Sequence, residues 1–432
     1  MFSNNTFCSM SFSSIEILPS GDFRVCCFSG SKHSFNRTSE YDNYGVAVDD
    51  NNVTMNIMTH SIKEALNSKI HKEIRLAQSL DVRHPECLTC WNKDDSNSKS
   101  YRAQKNEVFL DYDNAISIEK ASEFMSADGS IDNMPCHLDI RFGNLCNAKC
   151  IHCEPQHSNL WYEDHIRIYR KNYFQYGEKK YKIRSENGIL KSDVNEKKWW
   201  ETETWWNQFE QILPHLREIY VTGGEPFLVP AHDEMLDRII AAGLTDKIKL
   251  IYDTNLSIIN LKIINRLKQF KSVKISASLE DTNDRYELIR FPLKFDKFVS
   301  NLKQMENSGI KISNLTSCIG IYSATAATRI VPYFANIGNY NHPYRILRSP
   351  QCYDLKHLPK KEKLKIIETL DNANIGDKNK RMIIKYLQNN MDQESIPKLQ
   401  EFVRRMDILD KSRKTDWKSV FPEVAEMVQP YV

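Results

Sequence analysis

Apolar and polar positions along this chain follow two periods. Six runs read as strands, 136–142, 217–222, 248–254, 272–279, 311–322 and 344–348; in the first, apolar and polar residues alternate from Leu138 on. Between them run helical stripes. Trp205, Phe209, Ile212, Leu213 and Leu216 form one; Met235, Leu236, Ile239 and Ile240 form the next, closed by Gly243. Ile258 to Phe270 and Phe295 to Met305 supply two more. Strands alternating with helices predict a parallel sheet with crossover helices over residues 134–355.

Outside that region the pattern changes. Ser14-Ile15-Glu16-Ile17-Leu18 alternates weakly, Pro19-Ser20-Gly21-Asp22 is turn chemistry, and Phe23 to Cys26 leads away, so a hairpin is expected. Ser61 opens a helix with Ile62, Leu66, Ile70, Ile74 and Ala77 on one face. Residues 101–133 are polar, carry Asp128-Gly129, and read as a connecting segment. Residues 157–200, rich in Tyr, Lys, Arg and Trp, read as an inserted or extended helical segment. Trp161, Trp199, Trp200, Trp205 and Trp206 concentrate in or just after it; core packing is expected of them, or an aromatic wall facing a substrate. Beyond 355, three short amphipathic stretches punctuated by Gly376 and Pro397 predict a helical C-terminal segment, 356–432, as a cap or partner surface.

Composition narrows the choices. A chain of 432 residues with 41% hydrophobic content holds two or three domains. With a net charge of +3 no acidic partner is implied, nothing favours a nucleic-acid patch, and no apolar run is long enough to span a membrane. Met1 to Met10 lacks the basic and apolar regions of a secretory signal. Eleven cysteines in short spacings, without such a signal, argue metal ligation in a reducing cytoplasm over a disulfide framework.

The cysteines then carry the chemistry. Cys146, Cys150 and Cys153 are spaced C-x3-C-x2-C on a loop after the first core strand, which Gly143 and Asn144 break. Three thiolates can hold three irons of a [4Fe–4S] cluster and leave the fourth open, and an open position is where chemistry happens. Zinc would need a fourth ligand, His152 or His157. Thr222-Gly223-Gly224-Glu225-Pro226 follows the second strand. Asp253-Thr254-Asn255 ends the third, and Ser276, Ser278 and Glu280 lie at the end of the fourth. Sites at the carboxyl ends of strands are the rule in barrel enzymes.

With both motifs in that order, the sequence resembles the radical S-adenosylmethionine (SAM) superfamily. The resemblance implies a partial (β/α)6 barrel, an α/β fold, over 134–355, with a [4Fe–4S] cluster on Cys146, Cys150 and Cys153. It implies that Gly223, Gly224, Glu225 and Pro226 meet the amino group of SAM. Ser276, Ser278, Glu280 and Asn255 are expected near the cofactor, and His152 near the adenine. Arg290 is either a partner of the SAM carboxylate or an ordinary surface charge. Cys8, Cys26, Cys87 and Cys90, in residues 1–100, resemble the auxiliary-cluster pattern of SPASM and twitch domains, with Cys27 able to exchange with Cys26. A structural zinc site is the alternative for these four. Such a domain usually follows the core, whereas here it precedes it, and the absence of further ligands after Cys90 implies a single auxiliary cluster. Cys136, Cys318 and Cys352 are expected as small buried residues, with Cys318 or Tyr322 as a lesser candidate for hydrogen-atom donation.

The expected activity is reductive cleavage of SAM to a 5′-deoxyadenosyl radical that abstracts hydrogen from a peptide or protein. An auxiliary cluster would assist oxidation, and a low-potential donor would supply electrons. A small-molecule dehydrogenase, and a non-catalytic zinc or iron–sulfur binding protein, are the alternatives.

Overall fold

The computed structural model describes residues 2–30, 45–96, 98–176 and 179–431; residues 31–44 of the N-terminal segment lie outside the described residues. Eleven strands occur among them. They are β1 (Ser14–Ile17), β2 (Phe23–Arg24), β3 (His137–Arg141), β4 (Tyr173–Tyr176), β5 (Lys179–Glu186), β6 (Ile189–Ser192), β7 (Glu218–Thr222), β8 (Lys249–Thr254), β9 (Val273–Ser278), β10 (Ile312–Ile319) and β11 (Tyr344–Ile346). The chain forms two compact units. The first is Met1–Asn144, Tyr173–Tyr252 and Arg266–Val273; the second is Leu145–Asn172, Asp253–Asn265 and Lys274–Val432.

In the first unit, β3 is parallel to β7, and β7 to β8. The hairpin stands where the turn chemistry put it: β1 and β2 are antiparallel with Glu16 opposite Arg24. β1 also pairs in parallel with β3, Glu16 opposite Asp139. The N-terminal segment therefore extends the sheet of the core strands, and the compact units do not follow the linear segments 1–100, 101–133 and 134–355. Ser61 caps its helix through a reciprocal bond with Glu64, but that helix ends at Leu66, and Ser68 caps a second, Lys69–Ser79. The segment 101–133 is more than a connection, since Ser100 caps a helix over Tyr101–Phe109.

The inserted segment corrects the helical expectation. After one helix, Trp161–Tyr169, residues 173–192 form an antiparallel meander of β4, β5 and β6. Asn187 and Gly188 both have positive φ, 51° and 79°, as the two central residues of a tight hairpin turn require. In β5 only Tyr181 and Ile183 are buried, the alternation of a half-exposed strand. Trp199, Trp200, Trp205 and Trp206 are buried, and Trp199 packs on Phe142 and Trp205, so they are core.

In the second unit β9 is parallel to β10, and β10 to β11. β10 stops at Ile319, short of the 322 expected from sequence. The C-terminal helices Lys360–Asn372, Asp377–Asn389 and Ile396–Arg413 share one apolar core with Trp161, Ile319 and Tyr353. Each large side chain buried there contributes about 1.5–3 kcal/mol. Among the described residues no helix is long and apolar enough to cross a membrane.

Candidate metal centres and cofactor site

The cysteine loop belongs to the second unit and is tied at its main chain. Ile151 N donates to the Ile289 carbonyl and Lys149 N to that of Phe291, both at 2.8 Å. Trp161 Nε1 donates to the Cys150 carbonyl at 2.8 Å, Ser158 Oγ to the Ala148 carbonyl at 2.7 Å, and Cys146 N to Asn159 Oδ1 at 2.9 Å. The main chain holds the three thiols on one short loop. Burial pushes Cys150 up; burial, then Cys150 and Cys146, push Cys153 well above the usual thiol range. Crowded buried thiols hold their protons until a metal compensates the thiolate charge.

Beside this loop lies a buried charged group. Arg290 is 6% exposed, which removes the reading as a surface charge. Its Nε and Nη2 donate to Glu280 at 2.5 and 2.8 Å, and its Nη1 lies 3.8 Å from Cys150 Sγ. Burial would raise Glu280, but Arg290 and His152 hold it below the usual carboxylate range. His152 Nδ1 bonds the Tyr322 hydroxyl at 2.8 Å, and Nε2 lies 3.9 Å from Glu280. Burial brings His152 down to about 4, so its ring is neutral at pH 7. Both nitrogens are thus turned to Tyr322 and Glu280. Cys318 is half-buried, its thiol grouped with His152 and Glu280; Cys136 and Cys352 are buried. Asn255 Nδ2 donates to Asn147 Oδ1 at 3.0 Å and lies 4.0 Å from Cys146 Sγ. Ser276 accepts from Asn314 at 3.0 Å, and Ser278 shares its face of β9.

In the first unit, the Gly-Gly-Glu-Pro turn follows β7. Gly223 has φ 132°, and a Cβ there would lie 3.3 Å from the Gly143 carbonyl, so the second strand's loop needs glycine at this point. Glu225 is buried and caps the short turn Pro226–Leu228 by accepting from Phe227 N.

The N-terminal cysteines converge although they are far apart in sequence. Cys8, Cys26, Cys87 and Cys90 line one cavity whose walls include Met10, Val25, Ile74 and Tyr101. Burial, then Cys90, pushes Cys8 up to about 12. Burial and the neighbouring thiols raise Cys26 and Cys87 further. Cys27 does not line this cavity, and burial, then Asp139 and Glu16, push it up to about 12. Arg102 closes the cavity; it donates to the Phe7 carbonyl at 2.7 Å and lies over Trp91.

A family model for the radical SAM superfamily matches residues 140–325. The chain carries a radical SAM domain. A model for the SPASM iron–sulfur cluster-binding domain matches residues 8–91, ahead of it. Residues 140–325 thus match a radical SAM domain and residues 8–91 a domain described as iron–sulfur cluster-binding. No curated protein sequence matches the chain. Among solved structures, native anSMEcpe with bound AdoMet is 17% identical, covering 55% of this chain and 60% of its own, with a TM-score of 0.37. This chain thus spans 60% of the anSMEcpe length. Streptococcus suis SuiB bound to S-adenosylmethionine is 16% identical over 74% of this chain and 68% of its own (TM-score 0.36). SuiB bound to precursor peptide SuiA is 15% identical over 74% and 65% (TM-score 0.36).

Sequence reading passed over the supports. Arg405 donates to the hydroxyls of Tyr353 at 2.9 Å and Tyr169 at 2.6 Å, and to the Cys153 carbonyl at 3.4 Å. Asp164 accepts from Arg413 at 2.9 Å and Lys149 lies 3.4 Å from it. No local pattern marks Arg405 or Arg413, because Tyr169, the Cys153 carbonyl and Asp164 lie more than 200 positions from them. Arg102 was findable: Ser100 followed by a helical stripe is a capped helix start.

Proposed function

We propose that this enzyme holds a [4Fe–4S] cluster on Cys146, Cys150 and Cys153 and uses it to cleave SAM, and that a second cluster sits on Cys8, Cys26, Cys87 and Cys90. The observation that carries the reading is the donor set at the loop: three thiols stand on one tied loop, Cys150 and Cys146 both raising Cys153, while both nitrogens of His152 are turned to Tyr322 and Glu280. That orientation argues against His152 as a fourth ligand to zinc. When bound, the cluster supplies one electron to SAM, giving methionine and a 5′-deoxyadenosyl radical that takes a hydrogen atom from substrate.

The chain's own residues bind and orient. Gly223 and Gly224 let main chain approach the methionine amino group. Ser276, Ser278 and Asn255 offer hydrogen bonds to the cofactor. Glu280 is held ionised by Arg290, so it accepts from a ribose hydroxyl, and Arg290 places positive charge near the Cys150 thiolate. With its Nε and Nη2 on Glu280, Arg290 is better suited to that orienting role than to pairing with the SAM carboxylate. The pairing of a radical SAM domain with a SPASM domain supports a peptide or protein substrate and oxidation assisted by the auxiliary cluster. A low-potential donor in a reducing cytoplasm would supply the electrons.

Anaerobic reconstitution tests the reading. Wild type should bind about eight irons per chain, and form 5′-deoxyadenosine with dithionite and SAM. The Cys146/Cys150/Cys153→Ala variant should keep about four irons and form none. Zinc in place of iron, with no 5′-deoxyadenosine from wild type, would overturn it.

A further inference from the structure

Three arginines are buried around the cysteine loop of the second unit, and they are matched differently. Arg290 is held by both oxygens of Glu280, at 2.5 and 2.8 Å. Arg413 donates through Nε and Nη2 to Asp164, at 3.1 and 2.9 Å. Arg405, on the helix Ile396–Arg413, is 1% exposed. Its Nε donates to the Tyr353 hydroxyl, its Nη1 to the Tyr169 hydroxyl and its Nη2 to the Cys153 carbonyl. All three acceptors are neutral. Among the described residues no carboxylate forms an ion pair with Arg405, and Glu154 acts on it more weakly than the two tyrosine hydroxyls do.

A guanidinium stays protonated throughout the pH range of a folded protein. Arg405 is therefore a full positive charge shut away from water, with hydrogen bonds but no counter-charge. Left so, it is costly. The same residue reaches the loop by two routes. Its guanidinium carbon lies 4.8 Å from the ring centroid of Trp161, whose indole N–H bonds the Cys150 carbonyl. Its Nη2 meets the Cys153 carbonyl directly. Its charge is felt at His152, between those two cysteines. The surroundings do not neutralise it, since Asp164 already serves both Arg413 and Lys149, the latter at 3.4 Å. What would supply the missing negative charge is the loop itself once loaded. A cluster held by three thiolates is negative overall, and reduction adds one more negative charge.

We propose that Arg405 is a positioning residue whose charge is the counter-charge to the cluster on Cys146, Cys150 and Cys153, so that a helix beyond residue 325, where the family match ends, raises the reduction potential of that cluster. This rests on the cluster reading above and adds a regulator of its potential.

The test uses the reconstituted full-length enzyme. It reads the midpoint potential of the cluster whose electron paramagnetic resonance signal changes when SAM is added. Arg405→Gln removes the charge, and Arg405→Lys keeps it while giving up the planar fork. Arg404→Gln removes an exposed charge one position away on the same helix. Arg405→Gln should shift the equilibrium about tenfold against the reduced cluster, a fall of about 59 mV for one electron. That is the size of a unit-charge interaction over about 12 Å at an effective dielectric of about 20. Arg405→Lys and Arg404→Gln should stay close to wild type. Urea unfolding with and without iron gives a second readout. The stability gained on loading should shrink in Arg405→Gln and persist in Arg405→Lys, whereas bracing alone would weaken loaded and empty protein equally. An unshifted midpoint in Arg405→Gln, or an equal fall in Arg405→Lys, would overturn the proposal. If Arg405→Gln does not fold, Arg405→Lys decides: a midpoint near wild type sustains the proposal and a tenfold shift sinks it. Wild type without a SAM-responsive signal would remove the cluster reading, and the proposal with it.

Discussion

The loop cysteines and the N-terminal cysteines differ in number, spacing and surroundings. Cys146, Cys150 and Cys153 come from eight consecutive residues, and the charged Glu280–Arg290 pair and His152 stand beside them. Cys8, Cys26, Cys87 and Cys90 come from a span of more than eighty residues and are enclosed mainly by apolar side chains and each other. The contrast has a physical logic. A centre that must admit a polar cofactor needs an unfilled ligand position and polar neighbours to orient what enters. A centre that only holds or passes electrons is better closed by four thiolates in an apolar wall.

The largest effect should come from removing one thiol on each side. Cys150→Ala should abolish 5′-deoxyadenosine formation, whereas Cys87→Ala should preserve SAM cleavage and lose modified substrate. Chromatography of both products checks this, and loss of SAM cleavage in both variants would erase the distinction. Next in size is the charged pair. Arg290→Gln leaves Glu280 buried and unpaired, at a cost of about 3–5 kcal/mol in urea unfolding, and Arg290→Gln/Glu280→Gln should recover most of it. The sign with pH follows from Glu280 being held below the usual range. The pair's contribution is present above the ordinary carboxylate pKa, about 4.3, and is lost as pH falls through the depressed value. Wild type should therefore lose more stability in acid than the double variant does. The smallest effect sharpens the comparison at matched hydrogen bonds. Trp161→Phe removes the bond to the Cys150 carbonyl and Trp91→Phe the bond to the His84 carbonyl, each costing about 1 kcal/mol. Only the first should alter the electron paramagnetic resonance signal of the SAM-dependent cluster.

Much of the fold was legible because its signals are local. Strand and helix periods located the six core strands, Pro19 to Asp22 located the hairpin, and Ser61 located a helix start. The meander of β4 to β6 was also written locally, in Asn187-Gly188 flanked by alternating residues, but the aromatic and basic richness of that stretch obscured its period. The break between Leu66 and Lys69 was not legible from the apolar stripe, which runs unbroken across it, since a second cap at Ser68 costs the stripe nothing.

What the sequence determined by itself is therefore the chemistry carried by neighbours in the chain: the C-x3-C-x2-C loop, the Gly-Gly-Glu-Pro turn and the order of strands that presents them. Spacing over a few residues suffices for these, because one turn or loop fixes the geometry. Only the tertiary structure decided that Cys26 rather than Cys27 lines the N-terminal cavity, that Arg290 is spent on Glu280, and that Arg405 braces the cysteine loop. It alone showed that Glu16, Arg24, Asp139 and Arg141 share a face. Burial and pairing of charge depend on partners brought from distant parts of the chain, and no local period records them.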